Sequence, residues 1–111
     1  MISITNQPFS EQYRLAYEEW ADLHHRAGLL ERMHPVLRKR RALELQEADT
    51  KLSYTRAEAL VEASEWHENY VREMLDAKKR ATDAYGKVEY IDRLSWEHSR
   101  ADANRRAEMR L

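Results

Sequence analysis

The sequence predicts an all-α protein, an elongated helical bundle or antiparallel coiled-coil hairpin of two to four helices. Three observations carry that expectation. The 111-residue chain holds only two glycines and two prolines, which leaves room for few loops. Hydrophobic residues make up 42% of it and charged residues 35%, the balance of long helices with narrow apolar stripes and wide solvated faces. Within that same balance, three Trp and six Tyr supply enough buriable surface to set the chain apart from a disordered one. The third observation is a seam. Alternating steps of three and four residues from Leu60 meet Ala63, His67, Tyr70, Met74, Ala77, Ala81, Ala84, Val88, Ile91, Ser95 and His98. Most of these are apolar or small, and a mean step of about 3.5 residues keeps one helix face against a partner helix. A narrow-striped helix alone is marginal in water, so the seam has to be covered by the chain's own helices or by a second copy, and a homodimer is expected. Leu60 to Ile91 is therefore the candidate interaction seam.

Residues 1–8 read as a flexible N-terminal arm, with β-branched Ile2, Ile4 and Thr5 interrupted by Pro8, and residues 9–111 as one helical domain. A first helix should begin near Asn6 or Ser10, both good cap types, with Glu11 suited to the dipole of the first turn. Its apolar stripe is Tyr13, Ala16, Trp20, Leu23, Ala27, Leu30 and Met33, broadened by Tyr17. His34-Pro35 is the strongest boundary, because proline disfavours α geometry at the residue before it and lacks the donor for the preceding turn. A break with a short connection is expected there; the alternative is one long helix kinked at the proline. A second helix opens at Pro35-Val36-Leu37, and its stripe continues as Leu45, Ala48, Leu52, Thr55, Ala59, Ala63 and Trp66, with a turn placed near Asp49-Thr50 if the helix is not continuous. The seam passes Gly86 in register from Ala84 to Val88, so a helix is expected to run through it.

Net charge is -1, but unevenly spread: residues 1–34 sum to -2, 35–41 to +4, 42–76 to -6 and 77–111 to +3. The acidic 42–76 stretch is expected to lie antiparallel against the basic 77–111 stretch, within one chain or across a dimer. There is no cysteine, which excludes a disulfide scaffold and thiolate metal sites and fits a reducing cytoplasm. The opening Met1-Ile2-Ser3-Ile4-Thr5 lacks a basic region followed by an apolar run, so no secretory signal is expected. No window approaches the roughly 20 apolar residues of a membrane span.

Catalytic and metal chemistry find little support. Glu31 and His34 form one Glu-x-x-His pair, where helical di-metal sites use two such pairs and further carboxylates. Asp22 with His25, and the acidic group Glu62, Glu65 and Glu68 around Trp66 and His67, are also incomplete, so neither a metal nor a cofactor is expected. Two glycines cannot build a phosphate loop, and no strand-turn-helix context frames a nucleophile, so the chain is not expected to be an enzyme. His67 and His98 in the seam act better as polar register-setting groups, and they make packing sensitive to pH near neutrality. Nucleic-acid binding is the serious competitor. Arg38, Lys39, Arg40 and Arg41 form a compact basic run at a helix start, and Lys78, Lys79 and Arg80, then Arg105 and Arg106, add two more patches for phosphate or an acidic partner. Against it, four consecutive basic residues on a helix point in several directions.

The C-terminal Ala103-Asn104-Arg105-Arg106-Ala107-Glu108-Met109-Arg110-Leu111, with the helical, Trp- and Arg-rich style of the chain, resembles short all-helical proteins of bacteriophage early regions. The resemblance implies a small cytoplasmic accessory or inhibitor protein that acts by binding another macromolecule: a host nuclease complex, a recombinase or a second copy of itself. The function expected is that of a non-enzymatic helical interaction protein. The runner-up is a nucleic-acid-binding accessory protein that uses Arg38 to Arg41.

Overall fold

The computed structural model describes residues 8–110. They form three α-helices, α1 over Phe9–Ala48, α2 over Tyr54–Glu62 and α3 over Glu65–Met109, and no strand occurs among the described residues. The chain is all-α, as its composition and spacing predict. The N-terminal arm and the Asn6 cap lie outside the described residues.

The expected break at His34-Pro35 does not occur, and α1 continues across it. A proline inside a helix costs about 3 kcal/mol, because one carbonyl of the preceding turn loses its donor. Pro35 lies on the exposed side, while Ala27 and Ala42 are buried on either side of it. Packing on both sides outweighs the local penalty. Gly86, by contrast, lies within α3 as its register implied.

The first reversal falls at residues 49–53. The Asp49 side chain accepts from the Lys51 amide at 3.1 Å, and the Asp49 carbonyl accepts from the Leu52 amide at 3.1 Å. Asp and Asn favour such turns because the side chain stands in for a backbone acceptor. Ser53 then caps α2, its hydroxyl accepting from the Arg56 amide at 3.2 Å. A second reversal follows at Ala63-Ser64, where the Ser64 hydroxyl donates to the Val61 carbonyl and accepts from the His67 amide at 3.3 Å. Glu65 and Glu68 occupy the first turn of α3, where carboxylates suit the helix dipole.

The two reversals reset the helical phase, and several positions expected on the stripe are not there. Leu60 and Ala63 are exposed, so the seam begins at His67; Ala57 and Val61 are the buried residues of α2. Ala48, Thr55 and Ala59 are exposed, and Leu45 is 36% exposed. In α1, Tyr13 and Tyr17 face outward, while Gln12 and Ala16 are buried. From His67 to Ser95 the spacing holds: Tyr70, Ala77, Ala81, Ala84, Val88 and Ile91 are buried, and Met74 and Ser95 half-buried, whereas His98 is exposed.

The chain divides into two compact units. Unit 1 takes the described residues up to Leu23 and those from Arg80 onward. In it Ala16, Val88 and Ile91 form a core against Phe9 and Trp20. Glu19 meets Lys87 at 3.8 Å and Phe9 meets the His98 ring at 5.4 Å, so the α1 and α3 segments run antiparallel. Unit 2 spans His24–Lys79, and there Ala42, Ala57 and Val61 cluster under Leu52 and Trp66. Its pairing is antiparallel too: Glu31 meets Lys78 at 2.8 Å, His34 meets His67 at 3.0 Å and Arg38 meets Glu62 of α2 at 3.5 Å, while Arg26 reaches Glu73 at 3.3 Å. The expected pairing of the acidic stretch with 77–111 fails for residues 65–76, which belong to one continuous helix with 77–109. Acidic and basic stretches that share a helix cannot fold against each other.

Candidate functional site

The densest side-chain cluster lies in unit 2, where α1 meets the start of α3. His34 comes from α1 one residue before Pro35, and the Ser64 cap sets the phase that turns His67 and Tyr70 toward it. The Nε2 atoms of His34 and His67 stand 3.0 Å apart. The two rings stack with centroids at 5.1 Å, and Tyr70 stacks on His34 at 5.3 Å. The Tyr70 hydroxyl donates to the Leu30 carbonyl at 2.6 Å. Trp66 closes the group, 5.4 Å from Tyr70, with the Arg41 guanidinium 4.2 Å over its ring.

A contact of 3.0 Å between two imidazole nitrogens requires one N–H between them, so the rings hold opposite roles, one donor and one acceptor. A first added proton leaves that bond in place as a charge-assisted one. A second puts two N–H groups head to head and breaks it. Burial, then the neighbouring His67 and Arg38, hold His34 below its ordinary value, and Glu62 opposes them. Burial, then Glu73, push the Tyr70 hydroxyl up. The pair is thus a polar latch that sets the register between α1 and α3. Among the described residues no group of three His, Asp or Glu side chains could hold a metal ion. The carboxylates singled out by spacing are engaged elsewhere: Glu31 with Lys78 at 2.8 Å, Glu62 with Arg38 at 3.5 Å and Glu68 with Arg72 at 3.0 Å.

The basic run splits between two sides of α1. Arg38 turns to Glu62 and Arg41 lies on Trp66, while Lys39 and Arg40 line the outer side with Val36 and Leu43. Lys78 pairs with Glu31, and Lys79 is exposed beside it on α3. In unit 1, Arg80 is exposed, Arg105 pairs with Asp102 at 3.1 Å, and Arg106 lies in the last turn of α3. These cations do not gather on one face within either unit.

Two outward features escape the stripe-based reading. On unit 1, Tyr13 stacks with Tyr17 at 6.1 Å, Tyr17 meets Trp20 at 5.4 Å, and Trp20 meets Tyr85 at 5.4 Å. All three tyrosines are exposed. The signal is Tyr13, Tyr17 and Trp20 at helical spacing, which the stripe reading places in the core. On unit 2, Leu29, Val36 and Leu43 are exposed at seven-residue intervals on α1. Comparison of the chain with protein-family models, with curated proteins and with solved structures gives no match.

Proposed function

We propose that this is a non-enzymatic helical interaction protein that binds another protein through its outward helix faces. The observation that carries the reading is the row Tyr13, Tyr17, Trp20 and Tyr85 on unit 1. Single exposed hydrophobic residues are ordinary on protein surfaces, but a contiguous row of large rings is not. Tyr and Trp are the side chains interfaces favour, since they cover much area with few torsions to immobilise. The bland alternative is that the rings only brace the helix pair. Truncating an outward ring separates the two, because bracing affects stability and binding affects capture.

The seam that argued for a homodimer is buried within the chain's own units, so the partner we propose is a different protein. The setting we propose, on the resemblance of the C-terminal tail, is the cytoplasm of a phage-infected bacterium, with the role of an accessory or inhibitor protein. No helix among the described residues is long and apolar enough to cross a membrane. Nucleic-acid binding through Arg38 to Arg41 is the weaker reading, because Arg38 and Arg41 already face Glu62 and Trp66.

The test is affinity capture from host lysate with and without nuclease, using the full chain and Tyr17→Ser. The reading expects the same protein bands under both treatments, with loss in the variant at unchanged thermal stability. Capture that vanishes with nuclease transfers the function to nucleic acid, and no capture in either arm removes the reading.

A further inference from the structure

The outer side of α1 in unit 2 carries a second apolar stripe. Leu29, Val36 and Leu43 are 47%, 48% and 44% exposed, far more than an apolar side chain that completes a core. Seven-residue steps drift only about 20° per heptad on a straight helix, so the three residues lie nearly above one another. They point away from the side where His34 meets His67 and Ala42 is buried. Arg32, Lys39 and Arg40 flank the stripe and are exposed. Val36, Lys39, Arg40, Leu43, Glu44 and Glu47 together line a shallow groove of about 440 Å³.

We propose that this face docks an amphipathic helix with acidic flanks from a partner protein, an assignment that rests on the interaction reading above. Aliphatic residues of the partner would fill the spaces between Leu29, Val36 and Leu43, in the manner of a helix laid in a groove. Carboxylates beside them would meet Arg32, Lys39 and Arg40. Near Glu44 and Glu47 the charge reverses, so the matching end of the partner helix carries a basic residue. That change of sign gives the face a direction as well as a preference.

Charge decides against the other occupants. In a two-fold antiparallel pairing of two copies that aligns all three apolar residues, Leu29 lies across from Leu43 and Val36 from its own counterpart. Arg32 and Lys39 share one flank of the stripe, so Arg32 then lies beside Lys39 of the second copy and like charges meet there. A parallel pairing sets Lys39 of one copy beside Arg40 of the other. Phosphate would gain from the cations, but it finds no use for the aliphatic stripe and is repelled by Glu44 and Glu47.

The experiment measures binding of synthetic helical peptides of about 21 residues, about six turns, to the full chain by fluorescence anisotropy. One peptide has Leu at the seam positions, Glu on the flanks and Lys in one terminal turn. A second replaces every Leu by Gln, and a third exchanges the flanking Glu for Lys. A single-stranded oligonucleotide is the fourth probe. The acidic Leu peptide is expected to bind, and the Gln peptide and Val36→Glu each to weaken that binding about tenfold or more. The Lys peptide should not bind the natural chain but should gain on Arg40→Glu. Circular dichroism checks that both variants keep their helix content.

Equal binding of the Leu and Gln peptides, or an unchanged Kd in Val36→Glu, overturns the proposal by reducing the effect to diffuse charge. Tighter binding of the oligonucleotide overturns it in favour of nucleic acid. A dimer abolished by Val36→Glu overturns it in favour of a second copy. If the peptides fail while lysate capture persists in Val36→Glu, this assignment falls and the interaction reading stands. If the peptides fail and nothing is captured, both fall.

Discussion

Unit 1 and unit 2 use the same antiparallel pairing of α1 and α3 to bury different chemistry. In unit 1 the seam is small and apolar: Ala16, Val88 and Ile91 pack with Phe9 and Trp20, and Ala81 and Ala84 are buried as well. In unit 2 the seam is polar and aromatic where His34 meets His67 and Tyr70, and the apolar cluster of Ala42, Ala57 and Val61 lies toward the reversal. The outer faces differ as well: tyrosines on unit 1, aliphatic residues between basic ones on unit 2. An apolar seam contributes stability but tolerates slippage, since one alanine packs much like another. A hydrogen-bonded pair such as His34–His67 contributes less stability and specifies one register, as polar residues do in coiled-coil seams.

The comparison can be broken at several points. The largest expected effect is Ile91→Ala, which removes the largest aliphatic side chain of the unit 1 core and should cost about 2–3 kcal/mol in urea unfolding. The matching truncation in unit 2, Val61→Ala, should cost about 1.5 kcal/mol for the two methyl groups lost. Tyr70→Phe deletes the bond to the Leu30 carbonyl and should cost about 1 kcal/mol, with no change in helix content.

Gains are also expected. A Cβ built on Gly86 meets nothing within 4 Å, and one on Gly28 comes no closer than 3.7 Å to an Arg32 nitrogen. Gly86→Ala and Gly28→Ala should therefore each stabilise by about 0.5–1 kcal/mol, one in each unit.

The smallest effect is a pH slope. His34 is held below its ordinary value, so the folded chain binds fewer protons there than the unfolded one. The stability it contributes is complete above about pH 6.5 and is lost as pH falls through the folded value of His34. Arg38 from α1, Glu62 from α2, and His67 and Tyr70 from α3 face the ring, and only Glu62 works to raise it. Melting temperatures measured from pH 8 to 5 should fall in the natural chain and flatten in His34→Gln. Glu31, lowered by Lys78, adds its loss only at more acid pH, below the ordinary carboxylate value of 4.5.

The helical class and the α3 seam were legible because α3 is one uninterrupted helix, and periodicity survives where nothing resets its phase. Pro35 misleads because its local penalty is outweighed by packing on either side of it, which the sequence does not display. Leu60 and Ala63 were misplaced because Ser64 restarts the phase without glycine or proline to announce it. Its capping role is plain only once the His67 amide is seen to point at its hydroxyl. The charge blocks were legible as sums but not as neighbours, since 65–76 and 77–109 belong to one helix. Of the candidate site, His67 and Tyr70 were visible as seam positions, but their meeting with His34 depends on a register that no periodicity specifies. The outer stripe of Leu29, Val36 and Leu43 does not stand out in the sequence because it shares α1 with a second, buried stripe.

The central claim is that each unit closes its own seam and leaves the outer faces for a partner. Its most direct test is the molar mass of the full chain by light scattering across a wide concentration range, alongside Val88→Asp. The account predicts the mass of a single chain throughout for the natural protein, and loss of helix content in the variant. A stable dimer of the natural protein that Val88→Asp converts into a folded monomer would contradict it, because the seam would then be shared between copies.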